Sequence, residues 1–418
     1  MQLWKALKAF PAWRLAVPIC RLGMVIREAQ PPRPSNHQTP TGNAFTWRLA
    51  SYYAAFFAAL GVQVPFLPVW FAAKGLDASL IGIVLALPML VRVFAIPATA
   101  RIADAYDALR PVIIVASAAA ALGYGLLAFA QGTAAIIAVY ALASAFYTPL
   151  MPLADAYALR GLVRERYGPV RLWGSAAFIV ATLGGGVLLD AIAPLDLVWL
   201  VIATVIATAA GAYALARLPM QPPATRHVAH APPYRNAALL GIAVAAGLVQ
   251  ASHAVYYGFS TIAWKAAGLS GLSIGTLWAI GVLAEIALFA CSARWAASSM
   301  QLLVAGAAGG TLRWGVMALD PPAFTLPVLQ CLHGLSFGAT HLGSIGAVAR
   351  LAPAQSGATA QGFLAVIIGL LMAACMAVSG ALYAELHAKA YAVMSLIAAL
   401  GGAVCYATMR RTGPRIGG

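Results

Sequence analysis

The chain has 418 residues, 62% of them hydrophobic and only 9% charged, and its formal net charge is +15. Soluble domains carry about 25% charged residues, so this composition excludes an ordinary soluble protein. The basic residues do not form a domain with interleaved aromatic side chains, which excludes a nucleic-acid partner. The apolar residues form blocks of about 20 or more, the length that a helix needs to cross a lipid bilayer, and we expect an integral membrane protein.

Residues 1–43 form a basic N-terminal extension that ends in a proline-rich run. A signal peptide needs an uninterrupted apolar core, whereas basic residues interrupt this segment throughout. We interpret it as a disordered cytoplasmic extension. The alternative is an amphipathic helix that lies on anionic lipid.

Twelve apolar segments follow, and each is predicted to be a transmembrane helix, which gives an all-α integral membrane fold. Their expected bounds are 46–72, 78–100, 110–130, 134–159, 169–190, 196–217, 236–266, 272–292, 299–319, 322–349, 357–382 and 388–409. The long connection at 218–235 carries five prolines and is predicted to be a cytoplasmic linker. It separates six-helix bundles at 44–217 and 236–410, and a cytoplasmic tail occupies 411–418. Two halves with equal helix numbers are typical of the major facilitator architecture, in which the halves rock about a central site.

The basic residues follow the predicted topology. Nineteen of the 26 Lys and Arg residues fall in the two termini and in alternate loops, if the N-terminus is cytoplasmic. The opposite loops hold three, which are Lys74, Lys265 and Lys389. Cytoplasmic loops of membrane proteins carry an excess of basic residues. We therefore expect a multi-pass protein of the inner (plasma) membrane with both termini in the cytoplasm.

Five ionisable residues lie in or beside the apolar segments, namely Arg92, Asp155, Arg171, Glu285 and Arg313. A charge inside the bilayer costs several kcal/mol, and such residues usually mark a pathway for a substrate or a proton. Three positive and two negative charges leave a surplus of one positive charge. That surplus favours an anionic substrate.

Several sequence runs resemble those of a known transporter family. The run RIADAYDALR at 101–110 resembles a degraded facilitator motif that braces neighbouring helices. Stronger similarity to the phenylpropionate permease family is found in YTPLMPLAD (147–155), YGPVRLWGS (167–175), QASHAVYYGFS (250–260), LWAIGVLAE (277–285) and RWG (313–315). The resemblance implies a major facilitator protein that imports a 3-phenylpropionate-like acid together with a proton, more distantly similar to lactose permease.

The N-terminal half supplies the candidate substrate site. Asp155 is expected to close the fourth helix and Arg171 to open the fifth, so that antiparallel packing brings them together. The planar fork of an arginine binds a carboxylate in two places, and lactose permease has a sugar-binding carboxylate and arginine in corresponding positions. The alternative is a salt bridge that only holds the two helices together. Arg92 lies about 12 Å from the inner end of the second helix, and either faces the central cavity or extends toward the interface.

The C-terminal half supplies the candidate proton-coupling residues. Glu285 lies in the middle of the eighth helix, where burial favours the protonated carboxyl group. Arg313 is its candidate counter-charge, and His333 and His341 lie two turns apart on the tenth helix. Arg313 and His333 resemble an arginine and a histidine of lactose permease, but Ser336 replaces the carboxylate that follows that histidine. The alternatives are a structural ion pair for Glu285 and Arg313, and structural hydrogen bonds for the histidines.

Aromatic residues near these charges complete the predicted substrate site. His253 is expected to line the outer part of the cavity, and Tyr257 and Trp173 to stack against an aromatic substrate. The alternative is ordinary packing or interface anchoring. The five cysteines are scattered without a CxxC motif, so we predict free thiols, no metal and no cofactor.

These observations predict a proton-coupled symporter of a small organic anion that works by alternating access as a monomer. A sugar or nucleoside symporter and a proton-antiport drug exporter remain alternatives. A polytopic enzyme is excluded because the sequence has no carboxylate-rich metal motif and no nucleophile elbow.

Overall fold

The computed structural model describes residues 42–218, 235–292, 297–352 and 356–412. All regular secondary structure in these ranges is helical, which confirms the predicted all-α class. Most of the predicted N-terminal extension (1–43), linker (218–235) and tail (411–418) lies outside the described residues. We call residues 42–218 the N-terminal part and residues 235–412 the C-terminal part.

The N-terminal part is built from seven α-helices. They are α1 (Asn43–Ala73), α2 (Ala78–Ala105), α3 (Leu109–Phe129), α4 (Thr133–Tyr147), α5 (Leu150–Gly161), α6 (Arg164–Ala191) and α7 (Leu197–Ala214). Helix α1 packs against α6 and α7, and α3 packs against α4 and α7.

The described C-terminal part contains eight α-helices and one π-helical segment. They are α8 (Ala237–Ala251), α9 (Ala254–Ala266), α10 (Gly271–Ser292), α11 (Ser299–Met317), α12 (Leu326–Cys331), the π segment (Gly334–Ala339), α13 (Thr340–Leu351), α14 (Gly357–Leu386) and α15 (Ala390–Thr412). Helix α15 packs against α8 and α11, and the π segment lies between α10 and α11.

Nine stretches of the described residues are long and apolar enough to cross a membrane. Two of them, Thr133–Gly161 and Ala237–Ala266, each contain two consecutive helices, and Thr359–Arg411 contains most of α14 and α15. This confirms a chain that crosses the membrane several times. The number of twelve crossings stays a prediction.

Three of the expected continuous helices are interrupted. The segment 134–159 breaks at Thr148 and Pro149, since proline has no backbone N–H to donate. The segment 236–266 breaks at Ser252 and His253, whose side chains bond to carbonyl groups of the preceding turn. Such bonds compete with the helix's own backbone hydrogen bonds. The segment 322–349 is divided by the π segment.

The two parts touch through their backbones at one end of the bundle. Gly82 of α2 faces α14, where a Cβ atom on Gly82 would lie 2.8 Å from the backbone nitrogen of Gly380. Gly275 of α10 faces α6, where a Cβ atom would lie 2.6 Å from the Thr182 carbonyl oxygen. Only glycine allows helices to approach this closely. We call this end, which carries the loops 74–77, 192–196, 267–270 and 387–389, the closed end.

An ion pair reinforces the closed end. Asp190, near the end of α6, pairs with Lys265 of α9. Its second carboxylate oxygen accepts the backbone N–H of Gly271, the first residue of α10, at 2.6 Å. A single carboxylate of the N-terminal part thus binds two helices of the C-terminal part.

The facilitator-like run at 101–110 braces neighbouring helices, as the resemblance implies. Asp107 accepts a hydrogen bond from Arg160 of α5 at 2.6 Å. Arg110 of α3 donates to the carbonyl oxygens of Leu215 at 2.7 Å and Tyr213 at 2.9 Å, both at the end of α7. The run therefore links α2, α3, α5 and α7 at the end opposite the closed end.

Candidate functional site

Asp155 and Arg171 lie side by side, but deeper than predicted. Helix α5 continues six residues past Asp155 to Gly161, and α6 begins seven residues before Arg171. Arg171 Nε is 3.8 Å from Asp155 Oδ1, and that oxygen also accepts the hydroxyl of Tyr53 at 2.7 Å. The predicted helix ends, at 159 and 169, placed both residues closer to the ends of their helices than the structure does.

The guanidinium of Arg171 is held loosely and remains accessible. Its pairing with Asp155 uses Nε rather than the two terminal nitrogens, and its side chain is 34% exposed. Its carbon Cζ lies 4.8 Å from the ring centroid of Phe57 and 5.5 Å from that of Tyr53. Aromatic rings support an arginine without neutralising it. The terminal nitrogens are therefore suited to a further carboxylate.

Arg92 faces the C-terminal part. It is half-buried on α2, and a Cβ atom on Gly369 of α14 would lie 3.8 Å from its Nε. Its Nη1 is 3.7 Å from the sulfur of Met89. No carboxylate within the described ranges forms an ion pair with Arg92. Its charge therefore contributes to the positive surplus between the two parts.

Arg313 lies at the centre of a buried polar group in the C-terminal part. We call Arg313, Gln330, His333, Ser336 and His253 the Arg313 cluster. Arg313 is fully buried, and its Nη2 donates to Gln330 Oε1 at 2.6 Å. Its Nη1 contacts His333 Nδ1 at 2.9 Å and Ser336 Oγ at 3.4 Å. Stacking completes the cluster, because the guanidinium carbon is within 4.5 Å of the ring centroids of Tyr256 and Trp314.

His333 connects Arg313 to Glu285. Its Nε2 is 2.8 Å from Glu285 Oε1, while its Nδ1 contacts Arg313. An arginine can only donate, so Nδ1 must accept, and the hydrogen of a neutral imidazole must then lie on Nε2. His333 therefore donates to Glu285, and in this arrangement it cannot take a second proton. A proton arriving here has the free oxygen of Glu285 as its acceptor.

His341 of α13 is within electrostatic range of charged groups in both parts. It is exposed, and its ring stacks on Phe337 with the centroids 6.1 Å apart. It is close enough to both Glu285 and Arg171 for their charges to interact. Through His341, the charge of Glu285 in the C-terminal part is thus related to the charge of Arg171 in the N-terminal part.

Two predicted substrate contacts are placed elsewhere. His253 is fully buried within the Arg313 cluster and does not line the outer cavity, because the break between α8 and α9 turns its ring inward. Tyr257 stacks on His253 with ring centroids 5.6 Å apart and is only partly buried. Trp173 packs against Trp47 of α1 with centroids 5.6 Å apart, and it is 47% exposed.

Several residues of the site were not among the sequence candidates. Tyr53 and Phe57 of α1 hold the Asp155–Arg171 pair, and nothing in a single sequence connects them to residues about a hundred positions away. Gln330 carried a usable signal, since it is a polar residue in an apolar stretch, three positions before His333. Ser336 was noted only as the replacement of a carboxylate.

Comparison with known proteins identifies the family. Residues 46–393 match the sequence model of the MFS_1 like family. The chain belongs to this family. It is 29% identical over 368 residues to a probable 3-phenylpropionic acid transporter of Escherichia coli (strain K12), covering 84% of this chain and 94% of that protein. It is 28% identical over 335 residues to the maltose permease of Geobacillus stearothermophilus, covering 76% of this chain and 84% of that protein.

The solved structures agree with the family assignment. The nucleoside transporter NupG superposes with a TM-score of 0.73 at 16% identity, over 89% of this chain and 99% of that chain. The MFS_1 like protein described here therefore has the major facilitator fold, as predicted. It is a multi-pass membrane transporter of small-molecule substrates and not an enzyme.

Proposed function

We propose that this transporter is a proton-coupled symporter that imports a small organic anion, such as an aromatic carboxylate similar to 3-phenylpropionate. The observation that carries the proposal is the fixed direction of the hydrogen bonds from Arg313 through His333 to Glu285. It leaves one carboxylate, next to the space between the two parts, as the acceptor of a transported proton. The similarity to the probable 3-phenylpropionic acid transporter of Escherichia coli supports the substrate class.

Arg171 is the proposed anion-binding residue. Its terminal nitrogens can hold a carboxylate bidentately, while Asp155 and Tyr53 keep Nε in place. Arg92 adds a second positive charge, which forms no ion pair with a carboxylate of the described residues. Phe57 lies beside the guanidinium and offers an apolar face to the remainder of an aromatic acid.

We propose that the binding of the proton is coupled to the binding of the substrate. The proposed substrate site at Arg171 and the proposed proton site at Glu285 are linked by His341, on which the charges of both residues act. Both ligands must favour the same conformers, since a ligand shifts only the states that it distinguishes. Residues 44–217 and 236–410 are the proposed halves, and opening of the closed end alternates with closure of the opposite end.

We also propose the oligomeric state, the membrane and the orientation of the transporter. It is a monomer of the inner membrane with both termini in the cytoplasm, because the basic residues of the alternate loops belong on that side. The closed end then faces outward. In the proposed cycle, a conformation that is closed at this end exchanges its ligands with the cytoplasm.

The relatives also favour a second candidate, a sugar symporter, because the maltose permease is 28% identical to this chain. The two candidates differ in charge movement. One proton with a monovalent anion carries no net charge, whereas one proton with a sugar or nucleoside carries one positive charge. A membrane potential of 100 mV supplies about 2.3 kcal/mol per charge and should drive only the second process.

The deciding experiment uses the purified protein in vesicles. Uptake of labelled 3-phenylpropionate, maltose and uridine is measured with a pH gradient, and separately with a potassium diffusion potential. Anion uptake that follows the pH gradient but not the potential supports the proposal. Uptake of the sugar or nucleoside alone, driven by both, would replace it with the second candidate, and export against the gradient would indicate a drug antiporter.

A further inference from the structure

His253 has a fixed hydrogen-bonding pattern deep in the C-terminal part. Its Nδ1 lies 3.2 Å from the carbonyl oxygen of Val249 and 3.1 Å from that of Gln250. Two carbonyl oxygens next to a bare nitrogen would repel its lone pair, so Nδ1 carries the hydrogen. In a neutral imidazole the other nitrogen, Nε2, is then an acceptor.

This assignment determines the direction of the next bond. His253 Nε2 is 3.1 Å from Ser336 Oγ, so the hydroxyl hydrogen of Ser336 points to His253. The lone pairs of the same oxygen are then left for Arg313, whose Nη1 is 3.4 Å away. One consistent series of donors therefore runs from Arg313 to Ser336 to His253. A second series runs from Arg313 through His333 to Glu285.

The surroundings of His253 keep it neutral. Arg313 of α11 approaches it from one side through Ser336, and the His333 ring centroid is 5.3 Å away. Tyr257 on its own helix stacks on it, and Glu285 of α10 is reached only beyond His333. A cationic His253 would place a second positive charge beside Arg313 with no carboxylate in contact. It would also point an N–H at a serine oxygen that already accepts from Arg313.

We propose that His253 is a positioning residue for proton coupling. Through Ser336 it holds the Arg313 guanidinium in place, so that Nη1 continues to donate to His333 and His333 continues to donate to Glu285. Ser336 lies in the π segment, and such segments interrupt helices frequently at functional sites. The inference rests on the proposed function, because it assigns His253 a role in the same proton site.

If the contact from His253 through Ser336 to Arg313 is lost, we expect the pH dependence of uptake to change. Without the Ser336 contact, Arg313 can move away from His333, whose Nδ1 then becomes free to take a proton. A cationic His333 would favour the ionised form of Glu285. Glu285 would then bind a proton only at lower pH. Half-maximal uptake should therefore move to lower pH, by about one unit, which is at the low end of what a neighbouring charge produces.

Two substitutions at His253 separate positioning from packing. His253→Gln places an amide oxygen near the position of Nε2, where it can still accept from Ser336. His253→Asn reaches only the position of Nδ1 and cannot contact Ser336. We expect the Gln variant to retain the pH profile of the unmodified protein, and the Asn variant to show the shift.

A second pair of variants tests the same step without altering the histidine. Ser336→Ala removes the hydroxyl and should reproduce the shift seen with His253→Asn. Ser379→Ala is the matched control, because Ser379 is equally buried and donates to a carbonyl of its own helix. Thermal stability in detergent is measured for each variant. If His253→Asn does not fold, the pH profile of Ser336→Ala decides the test.

The outcomes distinguish this inference from the proposed function. A pH-driven anion uptake in the unmodified protein, with shifted profiles only for His253→Asn and Ser336→Ala, supports both. The same uptake with unshifted profiles, or with equal shifts in the Gln and Asn variants, overturns the positioning role and leaves the proposed function intact. Absence of pH-driven uptake in the unmodified protein overturns both.

Discussion

Replacing Glu285 with Gln should abolish accumulation of the substrate against a gradient while preserving its exchange. The variant keeps the acceptor that His333 needs, because the amide oxygen can occupy the position of Oε1, 2.8 Å from His333 Nε2. It loses the site where a proton binds and leaves. The side chain then resembles the protonated carboxyl group permanently, so the transporter can still change conformation with the substrate bound.

The size of the effect follows from the driving force. A pH difference of one unit across the membrane supplies about 1.4 kcal/mol per proton, which corresponds to about a tenfold concentration ratio. A symporter with a ratio of one to one should therefore accumulate its substrate about tenfold under that gradient. In the Gln variant no net accumulation should occur, and labelled substrate should enter only in exchange for unlabelled substrate inside the vesicles.

The assay measures labelled substrate in vesicles at a fixed inward proton gradient, followed by counterflow with unlabelled substrate. Glu385→Gln is the matched control, because Glu385 is an exposed acid near the end of α14 and outside the site. The control should accumulate substrate as the unmodified protein does. Accumulation by the Glu285 variant at the same ratio would refute the reasoning, since another group would then have to carry the proton.

Three further predictions concern binding and the closed end. Arg171→Lys should raise the KM for the anion about ten- to a hundredfold, since a point charge loses a charge-assisted hydrogen bond of about 1.5–3 kcal/mol; an unchanged KM in uptake kinetics would leave Arg171 with a structural role. Gly275→Leu cannot fit against the Thr182 carbonyl, so cysteine labelling should show the closed end open; unchanged labelling would contradict the contact. Asp190→Asn weakens the exposed pair with Lys265, and exposed ion pairs contribute little to stability, so the same labelling should increase far less than in the Gly275 variant; an equal increase would show that the pair is essential to closure.

The sequence was sufficient for the membrane character and for the charged residues of the site. Buried charge is rare in apolar segments, so Glu285, Arg313 and His333 could be selected by position alone, and the structure places them in one hydrogen-bonded group. The direction of the hydrogen bonds within that group could not be predicted. It depends on which ring nitrogen faces which partner, and hydropathy contains no such information.

The errors arose where the local backbone departs from a regular helix. His253 was expected to line the outer part of the cavity, within a continuous helix at 236–266. The break at Ser252 and His253 turns it inward toward Ser336 instead. The depth of Asp155 depended on helix ends that proline and glycine made hard to locate in an apolar chain. Contacts such as that of Tyr53 with Asp155 join distant positions and need a structure.

The central claim is that one proton enters with each substrate anion through the space between the two parts. The most direct test adds substrate to vesicles that have no initial pH gradient and records the external pH together with substrate uptake. We predict alkalinisation of the medium with one proton taken up per anion, lost together with net uptake in the Glu285→Gln variant. Substrate entry without any movement of protons would contradict it.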